Sequence, residues 1–262
     1  MDSKGVPINQ GKKLKLSLTI IFMCVVASLP FFYLDVNIVE VMTSLPKLIR
    51  FFIHNFLPPN FSNLRAYMEP VIETLLFAIV GTYISAVLSF ILGILMSQLS
   101  PNLVIRVFIQ SFVTFLRNIP VLIWASLLVF VFGIGNIVGL IALSLATVGI
   151  LSRMYAESID EIASSKLEAL TASGASYLQI ILHGLLPEFI PAWINWTLFS
   201  FEINIRASAI LGTVGAGGLG ILIQTNLNLR NFHEATTLII ILVVMVLMTE
   251  MAISNIRSRI YH

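Results

Sequence analysis

Charge is scarce in this chain. Asp, Glu, Lys and Arg make up 11% of its 262 residues, where a soluble domain carries roughly 25%. That excludes an ordinary water-soluble domain. Cysteine is nearly absent: Cys24 stands alone inside an apolar run, so neither an internal disulfide framework nor a cysteine metal cluster can form. Histidine is sparse as well. His54, His183, His233 and His262 are scattered, without metalloenzyme spacing. The net charge of +2 is too small to favour nucleic acid as a partner. What the chain does have is apolar surface. Hydrophobic residues reach 58% and the mean hydropathy is +0.97. This length accommodates about six membrane-crossing helices of ~20 residues with short loops.

The spans follow from charge-free stretches. No Asp, Glu, Lys or Arg occurs between Lys15 and Asp35, Glu73 and Arg106, Arg117 and Arg153, or Glu234 and Glu250. The first stretch predicts one helix, 16–34. The second predicts a helix over about 74–98, ended by Ser100-Pro101. The third is too long for one crossing and breaks at the Gly133-Ile-Gly-Asn136 turn. The helix before that turn extends upstream toward Val107, with Pro120 as a kink. Two more helices are predicted at about 190–211 and 235–253. Nothing alternates as a membrane β-barrel requires, so the fold class is an all-α integral membrane protein.

Short-loop Lys and Arg residues set the orientation. With the N-terminus in the cytoplasm, the inner segments hold Lys4, Lys12, Lys13, Lys15, Arg106, Arg117, Arg153, Lys166, Arg257 and Arg259. The outer segments hold only Lys47, Arg50, Arg65 and Arg230. Both termini are therefore expected inside. A basic start before an apolar run also fits a cleaved signal peptide, but the run is long and no small-x-small site follows it. Residues 35–72 join the first two helices outside. They form either a partly ordered loop or a surface helix such as 44–56.

Residues 153–187 form the most polar stretch after the N-terminus. Arg153, Glu157, Asp160, Glu161, Lys166 and Glu168 alternate with Ile159, Ile162, Leu167 and Leu170 at helical spacing. Gly174 interrupts, a short segment 175–179 follows, and Leu186-Pro187 opens the fifth helix. This protrusion suits docking into a partner's groove, or it simply links two spans.

Its residues resemble the signature of ABC-type import permeases: Glu-Ala-Ala, three residues, Gly, nine residues, Ile, one residue, Leu-Pro. Glu168-Ala169, Gly174 and Leu186-Pro187 match, while Leu170 and Gly184 depart. The likeness covers residues 70–256 and is closest to permeases of phosphonate importers. Phe115-Leu-Arg-Asn-Ile-Pro120 and the stretch Glu202 to Gly220 add to it, although methionine and osmoprotectant permeases share a version of the glycine run. The resemblance implies a type I importer architecture. Residues 1–15 are then a cytoplasmic tail, 16–34 the first span, 35–72 the extracytoplasmic connection, 73–256 the permease core and 257–262 a second cytoplasmic tail. The loop 153–187 becomes the coupling element for a cytoplasmic ATPase, through Glu168, Ala169, Gly174, Ala175, Ser176, Tyr177, Leu178, Leu186 and Pro187. Glu202, Asn204, Arg206, Gly215, Gly217, Gly218 and Gly220 become candidates for the translocation path or gate. Implied partners are a second permease copy or paralogue, two ATPase subunits, an extracytoplasmic substrate-binding protein and the lipid bilayer. No cofactor is expected on this chain; ATP and magnesium would sit on the ATPase.

Two charges in the fifth span need a reason, because a mid-bilayer charge costs at least ~2.5–3.5 kcal/mol. Glu202 and Arg206 are spaced i,i+4 on one helix face. They either neutralise each other for packing or line the path. Counting from Pro187, Arg206 lies ~28 Å along the helix, near the outer face. An Arg there would attract an anionic phosphonate by charge and paired hydrogen bonds. Gly215, Gly217, Gly218 and Gly220 also fit a bare G-x-G-x-x-G. No strand precedes it and no Gly-Lys-Ser/Thr follows, so neither a dinucleotide site nor a P-loop is read there. Close-packed, turning backbone near the outer surface is expected instead.

Small hydroxyls inside spans, among them Thr82, Ser85, Ser89 and Thr147, usually bond backbone or pack helices. An intramembrane enzyme is disfavoured because no nucleophile, base or metal ligands converge. An ATP-independent secondary transporter or channel would have no use for the 168–187 protrusion. The leading expectation is a permease carrying phosphonate or a related phosphorus oxyanion across a bacterial inner membrane, with methionine or an osmoprotectant as alternative cargo.

Overall fold

Backbone amides in hydrocarbon have no water to bond, so each segment must satisfy its own. The computed structural model describes the backbone of residues 10–34, 37–100, 102–172 and 174–260. It describes their side chains too, except at 10–14, 30–32, 38, 164–172 and 260. Among the described residues there is no strand. The chain divides into two units, Met1–Asn55 and Phe56–His262.

The first unit holds α1 (Gln10–Tyr33) and most of α2 (Ile38–Phe56). α1 is apolar over Lys15–Leu29. α2 is longer than the 44–56 surface helix read from the sequence. Asn37 caps it: its Oδ1 accepts from the Val39 and Glu40 amides at 3.1 and 3.3 Å.

The second unit is a bundle of α3 (Leu64–Met96), α4 (Leu103–Asn118), α5 (Val121–Phe132), α6 (Asn136–Ala172), α7 (Tyr177–Gln179), α8 (Leu186–Leu211), α9 (Gly218–Asn228) and α10 (Phe232–Ile260). Among the described residues, four runs are long and apolar enough to cross a membrane: Leu64–Met96, Asn136–Ala163, Tyr177–Val214 and Phe232–Arg259. α4 and α5 make a fifth if counted as one span, bent by 90°. The kink expected at Pro120 is thus a full break. Pro120 offers no N–H, and it forces Ile119 out of the helical region to φ −93°, ψ 117°. The turn at 133–136 forms as expected, with Gly133 at φ +77°.

α3 and α6 run parallel. Ser85 Oγ donates to the Ser144 carbonyl at 3.2 Å, Ser89 Oγ to that of Val148 at 3.4 Å, and the Gln98 amide to Asp160 Oδ1 at 2.6 Å. Between Ala78 and Gly93 the buried residues of α3 are all small: Ala78, Gly81, Thr82, Ser85, Ala86, Ser89 and Gly93. Lipid tails are as apolar as leucine, so membrane helices associate through such close approach. A Cβ added at Gly93 would lie 3.0 Å from the Tyr155 Cβ. α8 runs antiparallel to both. Trp196 Nε1 donates to Ser158 Oγ at 3.0 Å, and Tyr155 and Thr197 share a hydroxyl–hydroxyl bond of 2.6 Å. The candidate residues therefore fall at opposite ends of the bundle. The glycine run lies at the end where α3, α6 and α10 begin; the 174–187 elbow lies at the other.

Candidate functional site

At the first end, α8 stops in a 3-10 turn, Gly212–Val214, and α9 starts at Gly218. Each of the four glycines singled out in the sequence has a physical cause here. Gly215, Gly217 and Gly218 adopt φ of +87°, +88° and +66°, a region L side chains avoid. A Cβ at Gly220 would sit 2.0 Å from the Ala209 carbonyl oxygen. The glycines thus turn and pack backbone closely, as expected from their pattern. α9 itself was not foreseen.

The start of α9 is held from α3. The Gly218 amide donates to Glu73 Oε2 at 2.9 Å and the Leu219 amide to Thr74 Oγ1 at 2.9 Å. Glu73 also accepts from Asn136 Nδ2, at the start of α6. A carboxylate at a helix N-terminus satisfies orphan amides and complements the helix dipole. This latch joins three helices at the glycine end.

Asn204 lies in the protein interior, 3% exposed. Its Nδ2 donates to Thr82 Oγ1 at 2.8 Å, and its Oδ1 accepts from Thr147 Oγ1 at 2.8 Å. It therefore clamps α3, α6 and α8 within one chain instead of facing an opening. Asn204→Leu is expected to cost about 1–2 kcal/mol, read as a lower midpoint in denaturant unfolding of the detergent-solubilised chain, with the fold retained.

Glu202 and Arg206 form the i,i+4 ion pair their spacing predicts. The Arg206 side chain is 53% exposed and that of Glu202 only 14%. The acid is tucked against the bundle and the guanidinium projects from it. The two roles left open in the sequence are compatible in this geometry: the pair is neutralised, yet the cation remains accessible.

At the opposite end, α6 runs for 37 residues, ~55 Å at 1.5 Å per residue against a hydrocarbon core of ~30 Å. Its last turns extend beyond a membrane's thickness. Glu168 and Ala169 lie there on helical backbone, and their side chains fall outside the described residues. Gly174 turns the chain at φ +81°, with nothing within 4 Å of an added Cβ. Conformation, not space, is what requires glycine at this position. Ser176 then opens α7: its amide and hydroxyl both donate to Gln179 Oε1, at 2.9 and 3.0 Å.

The elbow has two faces. Ile180 and Leu185 are buried against Tyr155, Ile159 and Ala163 of α6. Tyr177, Leu178 and Leu182 are 41%, 64% and 47% exposed. Apolar side chains thus point outward from an anchored turn. Leu186-Pro187 opens α8, as the sequence suggested, but without a break in the chain before it. α7 passes into α8 through a π-helical segment, Ile180–Leu185, in which the Leu186 amide bonds the Ile181 carbonyl. Pro187 has no N–H to continue the ladder, and the wider register before it absorbs the missing donor.

The model of one protein family, the binding-protein-dependent transport system inner membrane component, matches residues 89–256. The chain belongs to that family. Among its relatives, the phosphite transport system permease protein PtxC of Stutzerimonas stutzeri is 31% identical over 195 residues, covering 74% of this chain and 71% of the relative. The phosphate-import permease protein PhnE of Mycolicibacterium smegmatis is 31% identical over 206 residues, covering 78% of this chain and 39% of the relative. Among solved structures, an inward-facing form of the MetNI methionine ABC transporter aligns with a TM-score of 0.67 and 24% identity, over 77% of this chain and 99% of that chain. That likeness establishes the fold. The permease is thus a bacterial inner-membrane protein of type I ABC importer architecture, and the relatives named are transport proteins, not enzymes.

Sequence reasoning missed Glu73, Thr74 and Asn136 as the latch of the permease's glycine end. Glu73 read only as a charge near a span end, and its amide partner lies 145 residues away. A carboxylate placed before an apolar run was the single available signal. Trp124 and Trp196 add internal ties of their own. Both indoles bond inside the bundle, to the Leu116 carbonyl at 3.4 Å and to Ser158 at 3.0 Å.

Proposed function

We propose that this chain is the translocating subunit of an ATP-driven importer, that its 174–187 elbow seats in a cytoplasmic ATPase, and that its cargo is a small phosphorus oxyanion such as phosphite or phosphonate. The observation that carries the reading is the elbow: a positive-φ glycine turn, anchored through Ile180 and Leu185, that presents Tyr177 and Leu178 outward. In this reading both termini are cytoplasmic, in line with the excess of Lys and Arg in the segments then inside. A second permease copy or paralogue closes the path, two ATPase subunits bind ATP and magnesium, and an extracytoplasmic binding protein delivers cargo.

The mechanism is leverage. Closure of the ATPases displaces the elbow, and α6 and α8 carry that displacement to the glycine end as rigid helices. There the α8–α9 corner opens or closes the outer gate, so that access alternates. Arg206 presents a cation to the entering oxyanion while Glu202 limits the cost of keeping it in the membrane. The names of the phosphite and phosphate relatives support the anionic cargo. Methionine as cargo has in its favour the solved-structure likeness, which speaks to fold alone.

Uptake of labelled phosphite by cells carrying Arg206→Ala tests the cargo path. Uptake is expected to fall about tenfold, as for the loss of a charge-assisted hydrogen-bond pair, while the ATPase still co-purifies. Unchanged uptake removes Arg206 from the path.

A further inference from the structure

α2 separates its residues by face. At 100° per residue, Met42, Leu45, Ile49 and Ile53 share one side, while Thr43, Lys47, Arg50 and His54 share the other. Met42, Ile49 and Ile53 are 61%, 57% and 58% exposed, and the four polar residues are exposed as well. The helix has 19 residues and is absent from the runs apolar enough to cross a membrane. Half of its perimeter is polar, so hydrocarbon cannot surround it. The other half is apolar, so water is a poor medium for it too. A bilayer surface accepts both halves.

A second observation concerns the chain that follows α2. Residues 57–63, which follow it, are tied to the first turns of α10. His233 Nδ1 bonds the Pro58 carbonyl at 2.9 Å, the Asn60 amide donates to the His233 carbonyl at 3.2 Å, and Thr237 Oγ1 donates to the Asn60 carbonyl at 2.9 Å. Those turns are the end of a membrane-crossing run, Phe232–Arg259. Residues 57–63 therefore lie at the level where a span meets water.

Charge selects the lipid. The basic side chains Lys47 and Arg50 lie on the polar side with the His54 imidazole, and the one acid on the helix is Glu40. We propose that α2 is a membrane-surface helix whose basic side, Lys47, Arg50 and His54, binds the headgroups of anionic phospholipids. Its apolar side sinks to the acyl boundary. This placement holds whichever side of the membrane the loop occupies, so it stands apart from the orientation and cargo given above.

The full-length chain with Cys24→Ser and a single label at Ile49→Cys or Thr43→Cys, reconstituted in vesicles, tests this. A spin label at position 49 should be relaxed by oxygen over a water-soluble nickel chelate with a preference about tenfold greater than one at position 43. A fluorophore at position 49 should be quenched severalfold more by spin-labelled phosphatidylglycerol than by spin-labelled phosphatidylcholine. Lys47→Glu with Arg50→Glu should erase that difference, at roughly fivefold per charge. Water exposure at both positions overturns the proposal, as does acyl exposure at both, equal quenching by the two lipids, or shielding of position 49 only when a soluble binding protein is added.

Discussion

Replacing Gly220 with valine is expected to reduce uptake to below about a tenth of the unaltered level, the largest effect of any single substitution at the glycine end. The cause is backbone against backbone. A Cβ at position 220 would meet the Ala209 carbonyl oxygen at 2.0 Å and the Gly212 Cα at 2.8 Å. No rotamer relieves this, so α8 and α9 must separate. Overpacking of a well-filled interior costs about 1–3 kcal/mol when side chains can yield, and here they cannot. Separation also withdraws the Gly218 and Leu219 amides from Glu73 and Thr74. Gly81→Ala is the matched control. Its new Cβ would meet Leu143 Cδ2 at 2.9 Å, the free end of a flexible side chain, and near-normal uptake is expected. Uptake in cells, with expression followed by immunoblot, distinguishes the two.

The second large effect is expected at the elbow. Tyr177→Asp with Leu178→Asp should lower ATPase association by about a hundredfold or more. Burying two such side chains in a partner groove contributes about 3–6 kcal/mol, and each 1.4 kcal/mol is tenfold in affinity. Both side chains are exposed in the isolated permease, so its own unfolding midpoint should not move. Ile180→Asp provides the contrast. Ile180 is 6% exposed and packs into the α6 core, so this change should lower the unfolding midpoint as well as association. Co-purification and denaturant unfolding, run on the same three proteins, separate loss of docking from loss of fold.

Local chemistry was legible in the sequence; long-range partnership was not. The charge-free stretches located the spans because charge is costly in hydrocarbon. Leu186-Pro187 marked where α8 begins, and Gly174 located the elbow because turning backbone needs a residue that tolerates positive φ. The glycine run announced close packing for the same reason. Boundaries were less visible. α3 begins at Leu64, well before the apolar stretch that starts at Thr74, because Arg65, Glu69 and Glu73 extend the helix past its apolar part. The onset of α2 at Ile38, earlier than the 44–56 read from the sequence, is set by the Asn37 cap. The continuity of α7 with α8 was hidden because a proline ordinarily announces a start, and a π register is not written in spacing. Asn204 looked like a path residue by its neighbourhood in sequence; only the approach of Thr82 and Thr147 reveals the clamp.

The measurement that reaches the central claim most directly is photo-crosslinking from the elbow in intact membranes. A photoreactive amino acid in place of Leu182, 47% exposed and beside the proposed contact, should yield an adduct with the cytoplasmic ATPase subunit, and its yield should change when nucleotide is trapped. An adduct with an extracytoplasmic protein, or none with any nucleotide-hydrolysing subunit, would contradict the account.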